Sequence, residues 1–173
     1  MFERILTAVD DSPSSAVTLS FVAALAHERG ASVHVLNVNE ILSGQRGHAL
    51  LTDTEAARLV EAAVRELRAG GIEASGSVVC ANSFRLPRAI ADVATDRKAD
   101  VIVLGSRRRP RPFGRLSGRG LRERVIAVSP LPVMVAPAPL ESGPARGAKS
   151  VRPWAEERRP QTDAARGESP ARG

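Results

Sequence analysis

The chain has 173 residues, a formal net charge of +6, a single cysteine and 43% hydrophobic residues, of which aromatics are so few (3%) that tyrosine is missing altogether. This length suits one well-buried core rather than two. A lone cysteine excludes an internal disulfide framework, and no apolar run approaches the roughly 18 residues that span a bilayer, so a membrane-embedded chain is excluded too.

With so few aromatics, the core must be built from Val, Leu, Ile and Ala, the residues of a buried parallel sheet covered by helices. The amino terminus lacks the basic, apolar and small-residue sequence of a secretory signal, and the expected location is the cytoplasm. The positive charge is local. Residues 107–124 carry eight arginines against one glutamate, a segment charge of +7 that exceeds that of the whole chain. Any attraction to polyanions should therefore centre there.

Ile5 to Val9 reads as a first strand, stopped by the turn and helix-start residues Asp10-Asp11-Ser12-Pro13. Val17, Phe21, Ala24 and Leu25 recur at helical spacing over 14–29, and Gly30 ends that helix. Val33 to Val38 forms a second strand, and the glycine-containing stretch 43–47 a loop. Thr52 or Thr54 caps the next helix, which places Leu59, Val60, Ala63, Val64 and Leu67 on one face and the pair Glu61 and Arg65 on the other, and Gly70-Gly71 closes it.

A third strand spans about 73–79, and a helix near 87–95 begins with Pro87, which suits a first turn. Val101 to Leu104 shows no polar alternation, which predicts a strand buried on both faces at the sheet centre. A short helix follows at 121–128, and a proline-bounded strand at 132–136 belongs at an edge. Five strands alternating with helices imply right-handed crossovers and a mainly parallel sheet, a three-layer doubly wound α/β domain over 1–137. Residues 138–173 are rich in Pro, Gly, Ala, Arg and Glu, with Val151 and Trp154 nearly alone as large apolar groups. Such a segment is expected to be a disordered tail.

Three pieces fall in a characteristic order: Ala8-Val9-Asp10-Asp11-Ser12-Pro13, the strand Val101 to Ser106, and Glu123-Arg124-Val125-Ile126 leading to Ser129-Pro130-Leu131-Pro132-Val133-Met134-Val135. Together they resemble the universal stress protein family across residues 2–137. The resemblance implies a flavodoxin-like, Rossmann-like five-stranded sheet of order 3-2-1-4-5, of the adenine nucleotide alpha hydrolase-like group. It also implies a homodimer through the last strand, 132–136. The order puts a ligand crevice outside the carboxyl ends of strands one and four. There the resemblance implies ATP with magnesium, contacted by Ala8, Asp10 and Val38 and by a glycine loop after strand four.

That loop is altered in this chain. The family pattern is Gly, two residues, Gly, nine residues, Gly and then Ser or Thr. Here Gly105 takes the first place, Arg108 stands at the second, and the last pair is Gly118-Arg119 or, in another register, Arg119-Gly120. A glycine loop works because backbone N–H groups approach phosphate oxygens closely. Arg108 could block that approach, or the arginines could replace backbone donors with charged ones; the residues leave both open. Pro110 and Pro112 remove two N–H donors and argue against a backbone cradle.

The simpler roles of these residues also have physical grounds. Asp11 or Ser12 is expected to cap the first helix, whereas Asp10, last on its strand, faces the crevice. A phosphoacceptor role for the Asp pair lacks an Asp ending strand three and a Lys ending strand five. His27, His34 and His48 show no metal-ligand spacing and belong on the surface or in strands, and Cys80 is expected to be a small packing residue. No P-loop or nucleophile elbow is present, so turnover beyond slow ATP hydrolysis is not expected. The expected function is a stress-response regulatory module that binds an adenine nucleotide. The alternative is a dimeric protein that binds polyanions or partners through the arginine-rich stretch, with non-specific nucleic acid as one such ligand.

Overall fold

The computed structural model describes residues 2–41, 49–106 and 120–138. The segment 107–119, with Arg108, Gly118 and Arg119, lies outside them, as do His48, Trp154 and the tail beyond 138. The elements in chain order are β1 (Arg4–Ala8), α1 (Ser14–Arg29), β2 (Ser32–Ile41), α2 (Asp53–Ala69), β3 (Ala74–Asn82), α3 (Leu86–Asp96), β4 (Val101–Leu104), α4 (Leu121–Val128) and β5 (Val133–Val135). The sheet order is β3-β2-β1-β4-β5, and every pairing is parallel. The last strand lies at an edge, as its prolines require.

Alternate residues of each central strand feed two separate cores, because successive side chains leave opposite faces of a sheet. Ile5, Val33, Val35, Val101 and Val103 pack with Leu19 and Val22 of α1 and Val60, Val64 and Leu67 of α2. Leu6, Leu36, Ile102 and Leu104 pack on the other face with Leu86, Ile90 and Ala94 of α3 and Val125 of α4. All four residues of β4 are buried, which accounts for its unbroken apolar run. One glycine is a packing requirement. A Cβ on Gly76 would collide with Val60 Cγ1 and come within 3.0 Å of Val64 Cγ2, so its absence lets α2 settle onto β3.

Helix α2 begins with a complete capping box. Thr52 Oγ1 accepts from Glu55 N at 3.2 Å, and the Glu55 carboxylate accepts from Thr52 N at 2.8 Å. Its outer face carries the Glu61–Arg65 pair at 3.8 Å. Several expectations need correction. Strands β2 and β3 run on to Ile41 and Asn82, because they pair with each other for nine residues and the polar ends Asn39 and Glu40 are paid for by that ladder. The cap position of α1 is Pro13, with no side-chain cap bond, instead of Asp11 or Ser12. Cys80 is exposed, because β3 forms an edge of the sheet. Among the described residues no helix is long and apolar enough to cross a membrane.

Candidate functional site: the crevice at the carboxyl ends of β1 and β4

Strands β1 and β4 are neighbours in the sheet, yet their following helices pack on opposite faces, and this divergence opens a crevice beyond their carboxyl ends. Thr7 pairs with Val103, and its hydroxyl donates to Val103 O at 3.2 Å, so the chain beyond both residues leads to the crevice. Val9 N donates to Leu36 O at 2.9 Å, and Asn37 Nδ2 donates to Val9 O at 2.9 Å. These bonds hold Asp10 between the ends of β2 and β4. Ala8 and Val38 are half-buried on the α3 and α4 face, packed against the same core.

Asp10 is oriented by serines. Its Oδ1 accepts from Ser12 N at 3.0 Å, from Ser15 Oγ at 2.9 Å and also from Ser12 Oγ, while Asp10 N donates to Ser15 Oγ at 2.9 Å. Ser12 and Ser14 hydroxyls are joined in turn at 2.7 Å. Ser12 stands among the helix-start residues, and Ser15 lies in the first turn of α1. In the fold, Ser12 and Ser15 set the direction of the carboxylate, and the signal for this was an Asp followed by hydroxyls two and five positions on. Asn37, a polar residue within an apolar strand, is a further position whose role appears only in the fold.

Gly105 follows β4 and lies close to α1. A Cβ there would lie 2.9 Å from Thr18 Oγ1 of α1, and that hydroxyl already donates to Ser14 O at 2.9 Å. Gly105 therefore permits close packing of the β4 end against α1. Gly120 precedes α4 in extended backbone with no side-chain cap bond. A Cβ there would meet Glu123 Oε2 at 2.5 Å, so the glycine lets the third-position carboxylate fold back over the helix start. Among the described residues, no three His, Cys, Asp or Glu side chains gather as a metal site.

A second polar group lies beside Val38. Glu40 is buried and accepts from the Ser83 hydroxyl in the β3–α3 turn, which Arg124 holds by donating to Ser83 O at 2.7 Å and Phe84 O at 3.2 Å. Arg124 thus ties α4 to that turn, and Phe84 stands 80% exposed at its tip.

A sequence profile of the Universal stress protein family matches residues 1–137. The chain belongs to that family. Solved structures agree with the assignment. A universal stress protein from Archaeoglobus fulgidus is 27% identical with a TM-score of 0.58, and the match covers 78% of this chain and 93% of that one. The universal stress protein from Archaeoglobus fulgidus in complex with dAMP is 26% identical with a TM-score of 0.55, over 76% of this chain and 95% of that one. A universal stress protein family member from Burkholderia pseudomallei, 20% identical, shares the fold with a TM-score of 0.61, over 79% and 96% of the two chains. No curated protein is a significant match. Of the positions that the family resemblance assigns to a ligand in this universal stress protein domain, Ala8, Asp10, Val38, Gly105 and Gly120 are among the described residues, whereas Arg108, Gly118 and Arg119 are not.

Proposed function

We propose that the domain is a regulatory module that binds an adenine nucleotide in the β1/β4 crevice. The observation that carries this reading is the Asp10 carboxylate, fixed by Ser12 and Ser15 at the switch point of the sheet, next to Ala8 and Val38. A carboxylate there suits a ribose hydroxyl, since a charged acceptor strengthens the bond. The half-buried side chains of Ala8 and Val38 offer apolar contact to a base. A relative in complex with dAMP supports the choice of ligand.

The described residues fit the nucleoside better than its phosphates. Gly105 is packed against Thr18, and the Glu123 carboxylate stands over the start of α4, where a helix would otherwise attract phosphate. Magnesium, in this reading, arrives bound to the nucleotide's phosphates. We further propose that β5 pairs with β5 of a second copy. The strand is an edge, Val135 is 40% exposed, and Ile126 (54%) and Val128 (39%) of the adjacent helix add apolar surface.

Calorimetric titration with AMP, dAMP and magnesium ATP tests the nucleotide reading. Binding at about millimolar or tighter is expected, with a loss of tenfold or more in Asp10→Ala, the size of one charged hydrogen bond. Absence of binding for all three nucleotides at millimolar concentration overturns it.

A further inference from the structure

The opposite end of the sheet holds a cavity of about 300 Å³. It lies at the amino ends of β1, β2 and β3, and its lining includes Arg4, Arg68, Arg97, Ser75, His34 and Glu73. Ile5 and Val33, both nearly fully buried, line it where their strands begin. Three arginines from three parts of the fold line one opening. Arg68 closes α2 and Arg97 follows α3, where a cation offsets a helix end of about half a charge. Arg4 stands 3.8 Å from Asp100, but the other oxygen of that carboxylate accepts from the Glu3 and Arg4 N–H groups. Arg68 uses Nε on Ala74 O at 2.9 Å, which fixes its stem. Among the described residues Arg97 has no carboxylate within salt-bridge distance.

Polar side chains line the cavity as well. His34 is 7% exposed, and its ring nitrogens lie 2.9 Å from the hydroxyls of Ser75 and Ser77. A neutral imidazole has one N–H, so one of the two serines accepts from the ring and keeps its own hydroxyl proton for a further acceptor; that serine is Ser75 when the ring proton sits on Nδ1. An acceptor with several oxygens on one centre could engage guanidiniums from different walls and a hydroxyl together, which a planar carboxylate does less well. The volume lies at the low end for small-molecule sites and suits a phosphate on a body of few atoms.

We propose that this amino-end cavity binds a phosphate group, carried on a small monoester or present as free orthophosphate, through Arg97, Arg68 and the Ser75 hydroxyl. The site is separate from the nucleotide crevice, being at the other end of every strand. Glu73 is the one carboxylate in the lining, and it weakens the binding.

Amide spectra of the full chain, titrated with glycerol 2-phosphate and with orthophosphate against sodium chloride of matched ionic strength, test the proposal. Saturable shifts are expected at 32–34 and 74–75, with a dissociation constant on the order of millimolar or tighter. Arg97→Ala should weaken binding about tenfold, Glu73→Gln should tighten it a few-fold, and Asp10→Ala should leave it unchanged. Tighter binding of the ester supports a monoester ligand, and equal binding supports the free ion. Shifts that chloride reproduces, that fail to saturate, or that both Arg97→Ala and Glu73→Gln leave untouched overturn the site. Failure of nucleotide binding in the crevice would not touch this result.

Discussion

Thr18 Oγ1 of α1 stands 2.9 Å from the point that a Cβ on Gly105 would occupy. The Thr18 side chain is short and nearly fully buried, and its hydroxyl bonds to Ser14 O, so it has little room to yield. Gly105→Ala should destabilise the domain by about 1–3 kcal/mol through overpacking. Thr18→Ala removes the colliding atom, and the double variant should recover a large part of that loss in a denaturation cycle. Additive losses would show that the two residues do not meet.

Ser15 both accepts from Asp10 N and donates to Asp10 Oδ1, each at 2.9 Å. Ser15→Ala should cost about 1–3 kcal/mol of stability, because it strips a part-buried carboxylate and an N–H of one partner. It should also weaken nucleotide binding, but by less than Asp10→Ala, with no further loss in the double variant. Calorimetry on the three proteins reads both effects.

Glu123 Oε2 would lie 2.5 Å from a Cβ on Gly120, which places the carboxylate at the start of α4. Phosphates approaching that helix start meet a like charge. Glu123→Gln should therefore raise affinity for ATP by a few-fold and for AMP by less, as each added phosphate increases the repulsion removed. Equal affinity in the two proteins would place the phosphates elsewhere.

Burial, and after it the guanidinium of Arg97, hold the His34 imidazole below its ordinary value of 6.5. The unfolded chain then binds a proton that the folded one refuses, so His34 favours the folded state above about pH 6.5 and loses that effect as pH falls towards the lowered folded value. Melting temperatures measured between pH 7.5 and pH 5 should fall (a range on the order of one His titration). In His34→Gln the slope should be shallower.

The proposed β5 pairing makes the oligomeric state sensitive to one exposed side chain. Val135→Lys places a charge on an apolar seam, and sedimentation should show dissociation to monomer with the helical signal retained. A dimer that survives the change would place the interface on another surface.

The extent of the fold that was legible in the sequence follows from what local chemistry controls. Val101 to Leu104 could be assigned to the sheet centre because an unbroken apolar run has no face for water, and a cap for α2 could be narrowed to Thr52 or Thr54 because a cap acts on its own first turn, whereas its partner Glu55 came from the structure. The ends of β2 were not. Asn39 and Glu40 look like loop residues until β3 supplies their ladder, and no rule of local sequence reveals which strand lies alongside. Cys80 likewise read as packed until the sheet order put β3 at an edge.

The sequence alone determined the alternation of strands and helices, the family resemblance, and Asp10 at a strand end, because periodicity and motif order are properties of neighbouring residues. Only the tertiary structure decided that Ser15 aims Asp10, that Gly105 serves packing against Thr18, and that Arg4, Arg68 and Arg97 surround one cavity. Those relations join positions brought together by the sheet order and by helices packing on its two faces, and contacts of that kind have no local signature.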